Sequence, residues 1–158
     1  MIIMKRLFCI AFLMMSINLL GYAQKVKPVE YGGGINLIKV VDQKALILKL
    51  RVIGYGKKDA QAQEDAEVRA IRAVMYAGVG SYRPLLVESQ AEAAHGDFLN
   101  SFFENKQYKD YLSIVEPAGG LTKVKGLKVK KQPYDITVNV RALELFLTQN
   151  KIKKRLGF

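Results

Sequence analysis

The clearest pattern in the chain is the alternation in YDITVNV, where Tyr134, Ile136, Val138 and Val140 are apolar and Asp135, Thr137 and Asn139 are polar. A period of two is that of a strand with one buried and one solvated face. The same period runs through ALILKLRVIGYG, Ala45 to Gly56, with Leu46, Leu48, Leu50 and Val52 on one face and Lys49 and Arg51 on the other. Ahead of it, INLIKVV (Ile35 to Val41) is rich in β-branched residues, and the short polar stretch Asp42-Gln43-Lys44 between the two predicts a hairpin.

The period changes after Gly56. Alanines at 62, 66, 70, 73 and 77 recur every three or four residues, which predicts a helix from about Ala60 to Ala77. Asp59 is the expected N-cap, and Gly78 or Gly80 the expected stop. An alanine stripe is shallow, so the helix axis can lie close to a sheet. Glu64, Asp65 and Glu67 are expected on the solvent side, paired with Arg69 or Arg72.

The middle is less regular. Ser81 to Glu88 is a candidate short strand, and Gln90 to Gly96 a weak helix or loop. Asp97 reads as the N-cap of a short helix to about Asn105. Phe98, Leu99, Phe102 and Phe103 would lie on one side of it, as core rather than as a ligand platform.

Strand patterns return in DYLSIVEP, in LTKVKGLKVKKQP and in YDITVNVRAL. In the second of these, Lys123 and Lys125 have one parity and Lys128 and Lys130 the other. A bulge at Gly126-Leu127 would bring all four to one solvent face and turn Val124 and Val129 inward. The end, Glu144 to Lys154, predicts a short helix burying Leu145, Phe146 and Ile152. The expected fold is therefore α+β: an antiparallel sheet of four to five strands, one long Ala-rich helix on one face, and short middle and C-terminal helices.

The corner GYGKKDAQ invites a phosphate-binding reading, but the residues do not complete one. A dinucleotide fingerprint G-x-G-x-x-G would need glycine where Asp59 stands, and a P-loop lacks both its second glycine and its hydroxyl. Gly54 and Gly56 read instead as residues that let the strand turn sharply and the helix approach it closely. No cofactor is expected.

Catalysis has little to build on either. The single histidine, His95, lies in a loop-like run and reads as a surface residue. No metal-ligand spacing, Ser-His-Asp order or Gly-x-Ser-x-Gly elbow appears. The chain is expected not to be an enzyme.

The beginning of the chain changes the setting. Lys5 and Arg6 precede a fourteen-residue, largely apolar run from Leu7 to Leu20, followed by Gly21-Tyr22-Ala23. Roughly 18 to 20 residues are needed to span a bilayer, so residues 1–23 read as an export signal cleaved before Gln24. The single cysteine, Cys9, lies inside that leader and not at its junction, which argues against lipidation. The remaining 135 residues contain no cysteine and fit one domain, 35–158, behind a flexible arm, 24–34. The net charge is +11, of which Lys5 and Arg6 contribute two, leaving +9. That balance favours anionic partners. For an exported protein these are membrane head groups, polysaccharide or an acidic protein face, with nucleic acid last. Lys123, Lys125, Lys128, Lys130 and Lys131, with Lys153, Lys154 and Arg155, form the candidate binding surface. The last three also suit the negative end of a helix dipole with no ligand.

Val52-x-Gly54-x-Gly56 ahead of Ala62-x-x-x-Ala66-x-x-x-Ala70, closed by Tyr134 to Val140, resembles the small βαββ domain of flagellar assembly protein T, at its N-terminus, and of related bacterial outer-membrane lipoproteins. The likeness spans about Ala45 to Val140; Ser81 to Lys109 has no counterpart in it. It implies a non-enzymatic part of a periplasmic or outer-membrane assembly, with an envelope protein complex as partner and no catalytic residues to carry over.

Overall fold

The computed structural model describes residues 34–153. The leader, the arm up to residue 33, and Lys154 and Arg155 lie outside the described residues. The fold is α+β, with strands β1 (Ile35–Asp42), β2 (Ile47–Gly56), β3 (Leu112–Pro117), β4 (Thr122–Lys123) and β5 (Lys130–Asn139). They form one antiparallel sheet in the order β1-β2-β5-β3, with β4 also on β5. Helices α1 (Asp59–Arg72) and α2 (Glu88–Glu104) lie between β2 and β3 in sequence, and α3 (Val140–Gln149) follows β5.

The period of two places Leu48, Leu50, Val52, Tyr134, Ile136 and Val138 inside, in one core cluster with Ala62, Ala66 and Ala70 of α1. Leu99 and Phe102 of α2 and Leu143 and Leu147 of α3 join the same cluster. Thus the helices share the inward face, while Lys49, Arg51 and Asp135 project from the other. β1 carries two register shifts, at Ile38 and Val41, and these extra residues are the exposed apolar ones on that strand. Bulges of this kind twist an edge strand away from pairing with another chain.

Gly54 and Gly56 are ordinary members of β2, and they permit closeness rather than a turn. A Cβ on Gly54 would stand 1.9 Å from the Ala62 carbonyl oxygen, and one on Gly56 2.5 Å from the Ala62 nitrogen. The space facing both glycines is thus filled by α1. Asp59 is not the N-cap: it is the first helical residue, Lys58 precedes it in extended conformation, and no side chain caps the end. Instead Gln61 Oε1 accepts from the Lys57 N–H at 3.0 Å, and Asp65 Oδ2 from the Tyr55 N–H at 2.9 Å. The helix ties down the strand end, where the sequence suggested that a carboxylate would close the helix end.

α1 passes through a wider π turn, Ala73–Ala77, and stops at Gly78, whose φ of 77° closes it. Ser81 to Glu88 is not a strand: only Val79 and Tyr82 pair there. Leu85 and Leu86 instead bond back to the carbonyls of Val74 and Met75. α2 is longer than expected, beginning at Glu88, and is kinked at His95 (φ −141°, ψ 25°). The histidine is therefore a half-buried residue of a helix kink and not part of a loop.

LTKVKGLKVKKQP is a hairpin and not one bulged strand. Thr122 pairs with Lys131 and Lys123 with Lys130. Gly126, at φ 80°, takes the left-handed position of a turn closed by the Leu127 N–H on the Val124 carbonyl at 3.1 Å. Alternation holds only along a straight strand, and here one glycine at positive φ reverses the chain. Val124 and Val129 are only half-buried.

β5 then runs on through Pro133. Tolerance of proline there has a local cause: Ile53 opposite it donates to Gly34 on the far side, and the Pro133 carbonyl accepts from Ala118 just past the end of β3. The missing N–H thus faces a place where the ladder has already ended. α3 starts four residues before the expected position because Asn139 Oδ1 accepts from the Ala142 N–H at 3.0 Å, an N-cap. That start sets the inward face at Val140, Leu143 and Leu147, and leaves Leu145, expected inside, 54% exposed.

A lysine-rich sheet end as the candidate functional site

The fold sorts the charged residues into those that tie elements together and those that do not. On the open face, Arg51 of β2 grips Asp135 of β5 through both carboxylate oxygens, at 2.8 and 3.1 Å. Lys49 stands 3.7 Å from Asp135 and 3.6 Å from Glu116 of β3. The Arg51 hydrogen bond, opposed by burial and aided by the charges of Arg51 and Lys49, holds the Asp135 carboxyl below the usual carboxylate range. A lowered carboxylate pKa stabilises the fold above the ordinary value of about 3.9, and that contribution is lost as pH falls through the folded-state value. Asp135→Asn is therefore expected to be less stable than the parent at neutral pH, with the gap closing below about pH 4. Urea midpoints measured from pH 7 to pH 2 check this; a gap that stays constant into acid would deny the ion pair its role.

Glu64 and Glu67, three residues apart on α1, meet Lys106 and Lys109, also three apart, at 2.7 and 3.1 Å. These pairs fasten the 3₁₀ segment Gln107–Tyr111 to α1. Glu67 was expected in solvent, but it is only 3% exposed. Its Oε1 accepts from Gln63 at 2.8 Å, while its Oε2, close to the Lys109 ammonium, accepts no aligned hydrogen bond. Tyr108 is buried nearby with its hydroxyl unpartnered among the described residues. Burial, then the charges of Glu64 and Glu67, push that phenol well above its ordinary value. The group has the perturbed titration often seen at reactive sites. It is nevertheless closed over by the 3₁₀ segment, and the Glu67 charge already faces an ammonium.

A cleft of about 220 Å³ lies where β2 begins and β5 ends, lined by Leu46, Leu48, Val74, Val79 and Val140 with Glu144 and Lys153. Glu144 holds Lys153 at 2.5 Å and Arg141 at 3.3 Å. Lys153 of the lining is thus engaged by the protein's own carboxylate, whereas Arg83, which also lines the cleft, is exposed and forms no ion pair among the described residues. Among the described residues no group of three or more metal-ligating side chains occurs.

The lysines of the β4–β5 hairpin differ. Gly56 pairs with Lys130 and Tyr55 with Lys131, so Lys57 and Lys58, which follow directly, are carried to the same end of the sheet. Seven lysines gather there: 57, 58, 123, 125, 128, 130 and 131. None of the seven forms an ion pair among the described residues. In the sequence Lys57 and Lys58 stand out only as part of a possible phosphate loop and not as members of this group. The signal available was their place at the end of a strand whose neighbour is lysine-rich.

Lys153, by contrast, does not join this group. It lies with Leu46 and Val140 at the far end of β5, roughly 30 Å of strand from Lys130. The C-terminal and hairpin lysines therefore do not make one patch through Lys153. Comparison of the chain with protein-family models, with curated proteins and with solved structures finds no match in any of the three.

Proposed function

We propose that this chain is an exported, non-enzymatic structural or adaptor domain of a bacterial cell-envelope assembly, periplasmic or outer-membrane-associated and not lipidated. The observation that carries the reading is where charge is spent. Carboxylates on α1, β3, β5 and α3 are used to bind elements to one another, while seven lysines at one sheet end form no ion pair among the described residues. The leader pattern of residues 1–23 and the likeness of the Gly54-to-Ala70 corner to flagellar assembly protein T support the setting.

A second reading is a stand-alone module for an anionic envelope ligand, lipid head groups or polysaccharide. It is favoured by the absence of any carboxylate from Pro117 to Tyr134, which holds five lysines. In cells that make the protein, the mature chain is expected to begin at Gln24 and to be recovered with envelope components by cross-linking and mass spectrometry. Recovery solely as soluble monomer would refute the adaptor reading. Salt separates the two: attachment through the lysines falls steeply between low and moderate ionic strength, whereas docking through an apolar surface hardly changes.

A further inference from the structure

The hairpin loop from Val124 to Val129 gives the lysine end a second property. Leu127 is 43% exposed, beside the left-handed Gly126, and no atom outside the turn lies within 4 Å of the place a Gly126 Cβ would take. Lys125 and Lys128 flank it, and Lys123 and Lys130 face each other across the two strands just behind. The arrangement is an apolar tip inside a collar of unpaired ammonium groups. Of the carboxylates on the adjoining elements, Asp59 is exposed, Glu64 is paired with Lys106 at 2.7 Å, Asp65 is held by Arg69 at 2.7 Å and by the Tyr55 N–H, and Asp135 is held by Arg51. They leave the collar strongly positive.

We infer that this hairpin seats the protein on an anionic lipid bilayer, with the lysines against head-group phosphates and Leu127 entering the acyl boundary. The inference rests on the second reading above and names its ligand. A bilayer places an anionic layer directly over hydrocarbon, and amphipathic elements bury their apolar side about 5–10 Å into that boundary. A projecting tip reaches this depth without disturbing the sheet. A hydrated polysaccharide offers the anions but no apolar layer beneath them, so it leaves Leu127 unused.

The test uses the purified protein as the cell makes it, with vesicles of phosphatidylcholine alone or mixed with phosphatidylglycerol, and heparin as a soluble polyanion. Binding is expected to the mixed vesicles and not to phosphatidylcholine alone, and to weaken with salt. Each lysine is expected to contribute roughly five-fold to partitioning, so K123Q/K125Q/K128Q/K130Q should lose a hundred-fold or more. L127S should lose about ten-fold on vesicles and nothing on heparin, with circular dichroism unchanged because the residue is at an exposed tip. If L127S binds the mixed vesicles as the parent does, insertion is overturned while the anionic-ligand reading stands. If the parent binds neither vesicles nor heparin, both fall.

Discussion

Replacing Gly54 by alanine is expected to destabilise the fold by about 3 kcal/mol or more, at the upper end of what overpacking costs. The added methyl would lie 1.9 Å from the Ala62 carbonyl oxygen and 2.8 Å from the Ala66 Cβ. One of these is helix backbone, which has no rotamer to yield. Relief requires α1 to lift from β2, and that opens the contact made by Ala62, Ala66 and Ala70, all fully buried. The hydrogen bonds that Gln61 and Asp65 accept from the Lys57 and Tyr55 N–H groups would stretch with it. Gly96→Ala is the control, since nothing stands within 4 Å of its Cβ position and its helix gains from alanine. Urea unfolding of the two variants measures the difference. A Gly54→Ala protein that unfolds at the parental urea concentration would mean that the helix does not approach the strand this closely.

Phe102→Ala is expected to cost about 3–5 kcal/mol, the range for deleting a buried phenylalanine. The ring is fully buried and sits 5.2 Å from Phe103, 5.6 Å from Phe146 and 6.1 Å from Tyr111, centroid to centroid. It thus joins α2 to the 3₁₀ segment and to α3. Hydrogen exchange should locate the damage: amides of α2 and of Gln107–Tyr111 are expected to lose protection before those of β2 and β5, whose ladder does not depend on this ring. Uniform loss across the sheet would show that the aromatic cluster and the sheet open as one unit. Because Phe102 and Gly54 act on different contacts, their effects should add.

Both variants probe features that the pattern of residues had already marked. The alternation in β2 and β5 was legible because a half-buried strand has no other way to place one face in water and one in the core. The alanine stripe with glycines ahead of it was legible for a related reason: small residues on both partners leave little besides close packing to explain them. The phenylalanines of α2 were read as core, and Phe102 lies at its centre. What failed were the irregular middle, where Ser81 to Glu88 forms no strand, and several element ends. Asp59 looked like a cap because aspartate commonly is one, yet the cap position fell on Lys58, and the helix's own Gln61 and Asp65 side chains accept from the backbone N–H groups of Lys57 and Tyr55. α3 began at Val140 because the Asn139 side chain before it accepts from the Ala142 N–H, and the shift changed which face of the helix is buried.

The candidate site was half legible. The five hairpin lysines and their grouping were legible in the sequence, but the route to it was not, since parity along one strand says nothing about a reversal at Gly126. Lys57 and Lys58 belong with them only through the register that sets Gly56 beside Lys130. Lys153 is excluded only because β5 carries the chain the full length of the sheet before α3 begins. Glu67 shows the same limit from the opposite side: helix spacing placed it among solvated carboxylates, and the 3₁₀ segment, forty residues further along the chain, covers it.

The sequence by itself determined the long strands β2 and β5, the alanine-striped helix and the closeness of their packing, because period and side-chain size act locally and admit few alternatives. Helix spacing had already marked the local pair Asp65–Arg69, but tertiary structure decided which of the other charges are answered and which are left over among the described residues. Pairs such as Arg51–Asp135 and Lys109–Glu67 depend on distances between residues far apart in the chain, and those distances exist only after the sheet has set its register.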